Sequence, residues 1–414
     1  MDEKTELSIV KKLFALLFFI QFWVTFAVVK ILHFLFMIFS VRSILQSLHR
    51  KKQSVVFLEA WFPDNAGYHY RSKLWSDIFQ NQGFRSRVKS VMTRQENDLW
   101  LAEKNILFHI KWLWKRTLQV LSCMKYKTVI VRRDLILFND YGNLFMEKFL
   151  ISFHPHVILD FDDDISAAKK EPREIKNIFG QLMLEQGNKF RQSLLLYKGF
   201  IVGSNYLRDY VKQCNSTVQE QNILVIPTCV DYDQYFPKEY PSEKNEIIFG
   251  WIGGTGNMPY LDLLIPALNR ISKKRKIKLL VITGRDYEAK TDFEIMNCRW
   301  SLETEISDMM KMDIGLMPLW LTAVAKGKCG FKLIQYMGLG IVSIATGITA
   351  NNEIIDDNQN GFIVEQEENW EHVIEKALVR WNEFNEIGRL GRTKILNQYT
   401  FRANTAKYSS FLNQ

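Results

Sequence analysis

Residues 247–257 read IIFGWIGGTGN, an apolar run that ends in a glycine-rich turn. The apolar part, Ile247–Trp251, predicts a buried strand, because short apolar runs bounded by turn residues are typical of strands covered on both faces. The turn leads toward a helix that we expect to begin near Pro259. Glycines let backbone N–H groups approach a phosphate closely, and the helix N-terminus adds partial positive charge. A tight turn without any ligand would leave the same pattern.

Similar apolar runs recur on both sides of this stretch, separated by segments with helical spacing. After it, we expect strands at Lys278–Ile282, Ile314–Pro318, Ile341–Ala345 and Gly361–Val364. Before it, we expect them at Val55–Leu58, Thr128–Val131, Val157–Phe161, Phe200–Val202 and Leu224–Ile226. Alternating strands and helices form parallel sheets covered on both faces. Because a polar stretch between Tyr232 and Asn245 predicts a linker, we expect two doubly wound α/β domains facing each other across a cleft.

Composition limits the classes of protein to which the chain can belong. Its 414 residues are 47% hydrophobic and 24% charged, as in globular proteins. Five scattered cysteines without a CxxC pair indicate neither a disulfide framework nor a zinc site. Residues 1–240 carry 33 Lys and Arg against 24 Asp and Glu, whereas residues 241–414 carry 21 of each kind. The basic first half favours an anionic surface or substrate, and no nucleic-acid-binding motif accompanies it, so we expect no nucleic-acid partner.

The N-terminus carries a long hydrophobic segment. Residues 13–39 are almost wholly apolar, with Gln21, Lys30 and His33 as the clear exceptions. A membrane-spanning helix needs about 20 apolar residues, and the run is too long for the apolar core of a signal peptide. We expect membrane association, and the basic residues that follow favour catalytic domains on the cytoplasmic side. A helix lying in the interface, a re-entrant hairpin and a buried core helix are the alternatives.

Aromatic and basic residues also mix in a second segment, from Trp100 to Lys125. This mixture suits a membrane interface, and it equally suits an ordinary amphipathic helix with a solvated basic face.

The stretch 327–338 has the features of an anion site. Gly327 and Gly330 predict a turn, and the residues from Phe331 onward predict a helix. Free N–H groups at a helix N-terminus, beside Lys328 and Lys332, would bind an anion such as a phosphate. One turn further on, Gln335 offers amide groups suited to a sugar hydroxyl. The alternative is a surface helix with two solvated lysines.

Two further segments follow predicted strands of the first half. The strand at Val157–Phe161 ends in a carboxylate cluster that includes Asp162 and Asp163. Such a cluster can bind a metal, hold sugar hydroxyls or act as a base, and mutual repulsion predicts a raised pKa for one of its members. The alternative is a helix N-cap at Asp163 or Asp164.

The first predicted strand is followed by Pro63–Arg71, which joins it to a helix expected over residues 69–79. Arg71 is placed to meet a phosphate, and the aromatic residues of this segment are placed to stack on a sugar or lipid head group. His69 is a further candidate for catalysis, although a solvent-facing histidine is the commoner outcome.

Seven segments, in this order, resemble the large retaining glycosyltransferase family 4 (group 1), whose members fold as two Rossmann-like domains, the GT-B fold. They are LDFDDDIS (159–166), IVGSNYLRDYV (201–211), VIPTCVDYDQYF (225–236), FGWIGGTGNMPYL (249–261), DIGLMPL (313–319), GKCGFKLIQYMGLGIVSIAT (327–346) and NEIIDDNQNGFIV (352–364). The resemblance covers roughly residues 54–414. With the hydrophobic segment, it implies four parts: a membrane-associated segment (1–50), an acceptor domain (51–240), a donor domain (241–398) and a terminal helix crossing back to the first domain (399–414).

The resemblance implies a nucleotide-sugar donor as co-substrate, and no separate cofactor. Gly253 and Gly254, with the helix start at 328–332 that includes Gly330 and Phe331, would hold the diphosphate. Gly284 and Arg285 match a loop near the nucleoside. The residues beside the acceptor, which would be lipid-linked or a saccharide, would be Gly67, Tyr68 and Arg71.

The sequence departs from this family at two positions. Typical members carry two glutamates eight positions apart, and here those positions hold Gly327 and Gln335. Retaining transfer needs no strong protein base if the leaving phosphate accepts the proton, so Lys328 and Lys332 are the leading catalytic candidates, with Asp162 and Asp163 beside them. The sequence therefore predicts a membrane-associated hexosyltransferase of surface polysaccharide or glycolipid synthesis. A non-catalytic nucleotide-sugar-binding or assembly protein is the first alternative, and a sugar-nucleotide epimerase is the second.

Overall fold

The computed structural model describes residues 53–103, 107–135, 144–163 and 189–413, together with scattered positions between 16 and 35. The first domain contains a six-stranded sheet in which all neighbouring strands are parallel, in the order β2-β1-β3-β4-β5-β6. Its strands are β1 (Ser54–Glu59), β2 (Arg85–Ser90), β3 (Thr128–Arg132), β4 (Val157–Phe161), β5 (Gly199–Val202) and β6 (Ile223–Val225).

The second domain contains another six-stranded parallel sheet, in the order β12-β11-β10-β7-β8-β9. Its strands are β7 (Glu246–Ile252), β8 (Lys276–Thr283), β9 (Glu294–Arg299), β10 (Ile314–Met317), β11 (Val342–Thr346) and β12 (Phe362–Val364). Successive strands are added to one side of β7 as far as β9 and then, from β10 onward, to its other side. The same change occurs between β1 and β3 in the first sheet. Ligands of such sheets bind beyond the carboxyl ends of the strands at these points. The predicted fold class of two Rossmann-like domains is confirmed.

Helices connect the strands within each domain. In the first domain they are α1 (Ala66–Tyr68), α2 (Leu74–Asn81), α3 (Arg94–Glu103), α4 (Leu107–Leu121), α5 (Phe145–Phe153), α6 (Lys189–Leu196) and α7 (Asn205–Cys214), with a π-helical segment, His69–Lys73, between α1 and α2. The helices that follow the first domain along the chain are α8 (Ile265–Ser272), α9 (Glu305–Met309), α10 (Ala323–Lys326), α11 (Phe331–Gly338), α12 (Thr349–Ile354), α13 (Trp370–Val379), α14 (Phe384–Gln398) and α15 (Phe401–Asn413). The helix expected near Pro259 begins instead as a 3-10 segment, Thr255–Leu263, and regular helix starts only at Ile265.

Two strands of the sheets were absent from the sequence prediction, and both lie at sheet edges. β2 alternates charged and small residues, and most of β9 is partly exposed. An edge strand has one unpaired side and often carries charge, so it does not show the apolar run of a central strand.

The last helix, α15, packs against the first domain. Trp75 of α2 contacts two of its rings, with centroids 5.0 Å from Phe401 and 4.6 Å from Tyr408. The chain leaves the first domain after Val230 and returns to it just before α15. The two connections lie side by side, because the Val230 N–H donates a hydrogen bond to the Tyr399 carbonyl at 3.0 Å. The first domain therefore takes part of its core from the end of the chain.

The expected membrane segment lies almost entirely outside the described residues. The described positions between 16 and 35 are helical, apolar and exposed. Among the residues that the structure describes, no helix combines the length and apolarity needed to cross a bilayer. In the second aromatic and basic segment, α4 is amphipathic, since Trp112 and Leu113 are buried and Trp114 and Leu118 are exposed.

Candidate active site in the cleft

The glycine-rich turn lies at the carboxyl end of β7, beside the start of α11. A Cβ on Gly253 would come within 2.8 Å of Lys332 Cε and within 2.6 Å of the Trp251 ring. The position therefore accepts only glycine while the Lys332 side chain passes over it. The Lys332 ammonium lies 5.5 Å from the centroid of the Trp251 ring, a distance at which the ring stabilises a cation. A Cβ on Gly254 would meet open space, so the backbone there is accessible to a ligand.

Gly330 begins α11 in a left-handed conformation, with φ of 69°. A side chain at this position would be strained by that backbone and would also collide with Ile354, whose Cδ1 lies 2.4 Å from an added Cβ. Gly330 thus allows the sharp turn that brings Lys328 and Lys332 to one side of the helix start.

The two lysines form a positively charged site. Burial and the nearby Lys328 ammonium lower the pKa of Lys332 to about 8. Asp163 lies 3.9 Å from Lys328, and within the described part of the chain neither lysine has a carboxylate at hydrogen-bond distance. Like charges held together in this way are stabilised by an anionic ligand.

The carboxylates on the other side of the cleft are paired with arginines. Asp162 accepts a hydrogen bond from Arg132 at 3.0 Å, and Asp163 accepts one from Arg133 at 3.0 Å. Burial opposes ionisation of Asp162, but Arg132 and Arg133 outweigh it and hold the pKa of that carboxyl well below its usual value. The predicted raised pKa in this cluster is therefore wrong for Asp162, because arginines at the end of β3 reverse the effect of the neighbouring carboxylates. Asp164 lies outside the described residues.

Arg71 is committed to the interior of the first domain. It is 2% exposed, and its guanidinium is paired with Asp160 and donates to the Ile226 carbonyl at 2.6 Å. A group so fully engaged is not a free cation in the cleft, so the expected contact between Arg71 and a ligand has no support in this geometry. Gly67 and Tyr68 lie nearer the surface and are half-buried, and Gly67 lies against the Arg132 guanidinium. Half-buried His69 has its pKa lowered by burial and by Lys73.

The remaining predicted donor residues take two kinds of position. Gly284 and Arg285 are exposed just beyond β8. Gln335 is 3% exposed, and its amide lies beside the Glu305 carboxylate. Phe331, the first residue of α11, packs against the Tyr70 ring of the first domain, with centroids 4.8 Å apart.

Sequence reasoning overlooked Arg132, Arg133 and Glu305, and it expected Tyr70 only among the aromatic residues that would stack on a ligand, whereas Tyr70 is buried. Arg132 and Arg133 follow a predicted strand, just as Asp162 and Asp163 follow the next one along the chain, so their pairing was available from the pattern. Tyr70 and Glu305 belong to different domains and form a buried hydrogen bond. No local pattern predicts that contact. Within the described ranges, no group of three or more His, Cys, Asp or Glu side chains is arranged to hold a metal ion.

Comparison with known families identifies the second domain. Residues 246–380 match the family model described as "Glycosyl transferases group 1". The match includes Gly253, Lys328 and Lys332, and it confirms the resemblance over this part of the chain. No curated protein sequence matches the chain significantly.

Solved structures share the fold over most of the chain. A glycosyltransferase from Rickettsia africae ESF-5 aligns with a TM-score of 0.60 at 15% identity, covering 87% of this chain and 98% of its own. Sucrose-phosphate synthase from Thermosynechococcus elongatus aligns with a TM-score of 0.65 at 11% identity, covering 88% and 99%. The Anabaena protein HepE, solved in complex with UDP-glucose, aligns with a TM-score of 0.61 at 12% identity, covering 87% and 99%. At these identities the likeness establishes the two-domain architecture alone.

Proposed function

We propose that this chain, a group 1 glycosyltransferase by its second domain, transfers a sugar from a nucleotide-sugar donor to a lipid-linked or polysaccharide acceptor at a membrane surface, with retention of anomeric configuration. The observation that carries the proposal is the convergence of Gly253, Lys328 and Lys332 at the carboxyl end of β7. This is where doubly wound sheets bind their ligands.

The chemistry of this site favours a diphosphate. Two ammonium groups, of which Lys328 has Asp163 only at 3.9 Å, an open backbone turn at Gly254 and the N-terminus of α11 all attract an anion with several oxygens. HepE, which has the same fold, was solved with UDP-glucose, and a nucleotide sugar carries such a diphosphate. The exposed Gly284 and Arg285 beyond β8 would lie on the nucleoside side of the donor.

The transfer step needs positioning and charge stabilisation more than a protein base. The acceptor oxygen forms its bond to the anomeric carbon as the bond from that carbon to the diphosphate breaks, and the hydroxyl proton passes to the departing diphosphate. Lys328 and Lys332 would stabilise the negative charge that develops on the leaving group. Asp162 is a weak base because its arginine partners favour its ionised form, which supports retention through the leaving phosphate.

Membrane association and an acceptor on the first domain rest on charge and hydrophobicity. The first 240 residues carry the whole net charge of +9, and anionic lipid head groups attract such a surface. The apolar run at 13–39 is long enough to anchor the chain, and its described positions are exposed apolar residues. The basic residues after the run favour catalytic domains on the cytoplasmic side.

The experiment that tests the donor site is a melting-temperature screen of the detergent-purified protein against nucleotide sugars and free nucleotides. A ligand present at 100 times its Kd stabilises the folded state by about 2.7 kcal/mol, which shifts the melting temperature measurably. We expect one nucleotide family to stabilise the protein. Lys328→Ala and Lys332→Ala should each weaken binding by about tenfold to a hundredfold, the effect of losing a charged hydrogen bond.

Lys276→Ala is the matched control, because Lys276 is 74% exposed and lies away from the cleft. No shift with any nucleotide in a folded protein, or equal affinity in all three variants, would remove the donor-site assignment. Binding without transfer to any membrane acceptor would favour the alternative, a nucleotide-sugar-binding protein without turnover.

A further inference from the structure

The segment that carries the two lysines is held by both domains. Its residues have two roles. Lys328 and Lys332 contribute to the anion site, whereas Cys329 and Phe331 pack against the first domain. Cys329 is 6% exposed and packs with the hydrophobic core of the first domain. It fills a notch at Gly203, where an added Cβ would lie 2.5 Å from the Cys329 sulfur. The segment that carries the lysines therefore also forms part of the contact between the second domain and the first.

Phe331 makes a further contact of this segment with the first domain. Its ring meets Tyr70 edge-on, with centroids 4.8 Å apart. Tyr70 is 5% exposed, and its hydroxyl donates a hydrogen bond to the Glu305 carboxylate at the start of α9. Glu305 is 2% exposed and also accepts a hydrogen bond from the Trp300 indole at 2.8 Å. Tyr70 thus connects the first domain to two separate elements of the second.

We propose that Tyr70 is a positioning residue for the transfer reaction: by binding Glu305 and packing on Phe331, it holds the lysine segment against the first domain when the cleft is closed. This inference rests on the proposed function for its catalytic consequence, and its structural part stands by itself. A buried carboxylate needs its hydrogen-bond donors, so removal of the Tyr70 hydroxyl leaves Glu305 under-satisfied only in the closed arrangement. Loss of that hydroxyl therefore favours an open cleft.

A positioning role predicts that loss of the Tyr70 hydroxyl slows transfer but leaves donor binding almost unchanged. The Gly253 turn, Lys328 and Lys332 all belong to the second domain, so an open cleft still binds the donor. Transfer also needs the acceptor side, and hence closure. Tyr70→Phe keeps the ring against Phe331 and removes only the hydroxyl.

The test compares wild type and Tyr70→Phe by two measurements on the full chain. The first is the alkylation rate of Cys329 by a small maleimide, resolved from the other cysteines by peptide mass spectrometry. It needs no substrate, and we expect an increase of about tenfold, because the open cleft exposes the thiol. The second is turnover, where we expect kcat to fall by about tenfold while donor Kd changes less than about twofold.

Two controls make the result decisive. Cys123 lies in the core of the first domain, 0% exposed, and its alkylation should stay unchanged; acceleration at both thiols would mean general unfolding and would overturn the positioning role. Glu305→Ala should reproduce the effect of Tyr70→Phe, and the double variant should be no worse than the more affected single variant, since both remove the same bond.

Unchanged Cys329 alkylation and unchanged kcat in Tyr70→Phe would refute the inference. Absence of transfer by the wild type with every donor would count against the proposed function instead, and the alkylation rates would still decide whether Tyr70 holds the segment.

Discussion

The lowered pKa of Lys332 predicts that donor affinity falls as the pH rises through about 8. A diphosphate binds the charged ammonium, and the fraction of Lys332 that is charged before binding drops from about nine-tenths at pH 7 to about one-tenth at pH 9. If the neutral amine contributes little, donor affinity should fall by somewhat less than tenfold over this interval, or about 1.3 kcal/mol. Binding above pH 8 should also take up a proton.

The assay is isothermal titration calorimetry from pH 7 to pH 9, in two buffers with different ionisation enthalpies to count the protons. Lys332→Arg is the control, because a guanidinium stays charged over the whole range and its affinity should be independent of pH. Donor affinity that is constant in the wild type, or that falls equally in Lys332→Arg, would refute the reasoning. The stability of the protein without donor should depend on pH in the opposite direction to donor affinity. Between about pH 8 and pH 10.4, Lys332 holds its proton more firmly in the unfolded state than in the folded state. The free energy of unfolding should therefore rise with pH over this range.

Three further predictions concern other parts of the chain. Arg71→Ala should lower the free energy of unfolding by about 3 kcal/mol in urea titrations, because it leaves the buried Asp160 carboxylate with Arg132 at 3.9 Å as its remaining cation, whereas Arg389→Ala on the surface should cost less than about 0.5 kcal/mol. Gly203→Ala should slow transfer by obstructing the Cys329 sulfur, and adding Cys329→Ala should restore it; a double variant as slow as Gly203→Ala would place the effect inside the first domain. Deletion of residues 1–48 should release the protein from membrane pellets, and a truncated protein that still pellets would move the anchor to the folded domains.

The sequence predicts those parts of the fold that depend on burial. Central strands such as β4 and β11 are buried at every residue, so they appear as apolar runs. β2 and β9 escaped prediction because an edge position lets polar residues stand in a strand. The order of strands in each sheet follows from general rules for parallel crossovers and from the family resemblance rather than from any local signal.

Part of the candidate site could likewise be predicted from the sequence, and part could not. The glycines at 253 and 330 and the lysines at 328 and 332 lie close together in sequence, or at the end of an evident strand, so their convergence could be inferred. The low pKa of Asp162 needed one further step, because its cause is an arginine 30 positions earlier, and only the pairing of the two predicted strands brings that arginine beside Asp162. The contact between Tyr70 and Glu305 joins residues 235 positions apart in different domains, and such pairs depend on how the two domains meet.

The return of the chain to the first domain restricts how the two domains can move. The chain crosses between them twice, once after Val230 and once before Phe401, and the two crossings are hydrogen-bonded to each other, with the Phe401 N–H donating to the Val230 carbonyl at 3.2 Å. Because the two connections are held side by side, they form one hinge between the domains. The domains can open and close about this hinge but cannot rotate freely about a single connecting segment. The first 240 residues expressed alone would lack α15 and would expose Trp75, so the first domain cannot be separated at the linker without losing part of its core.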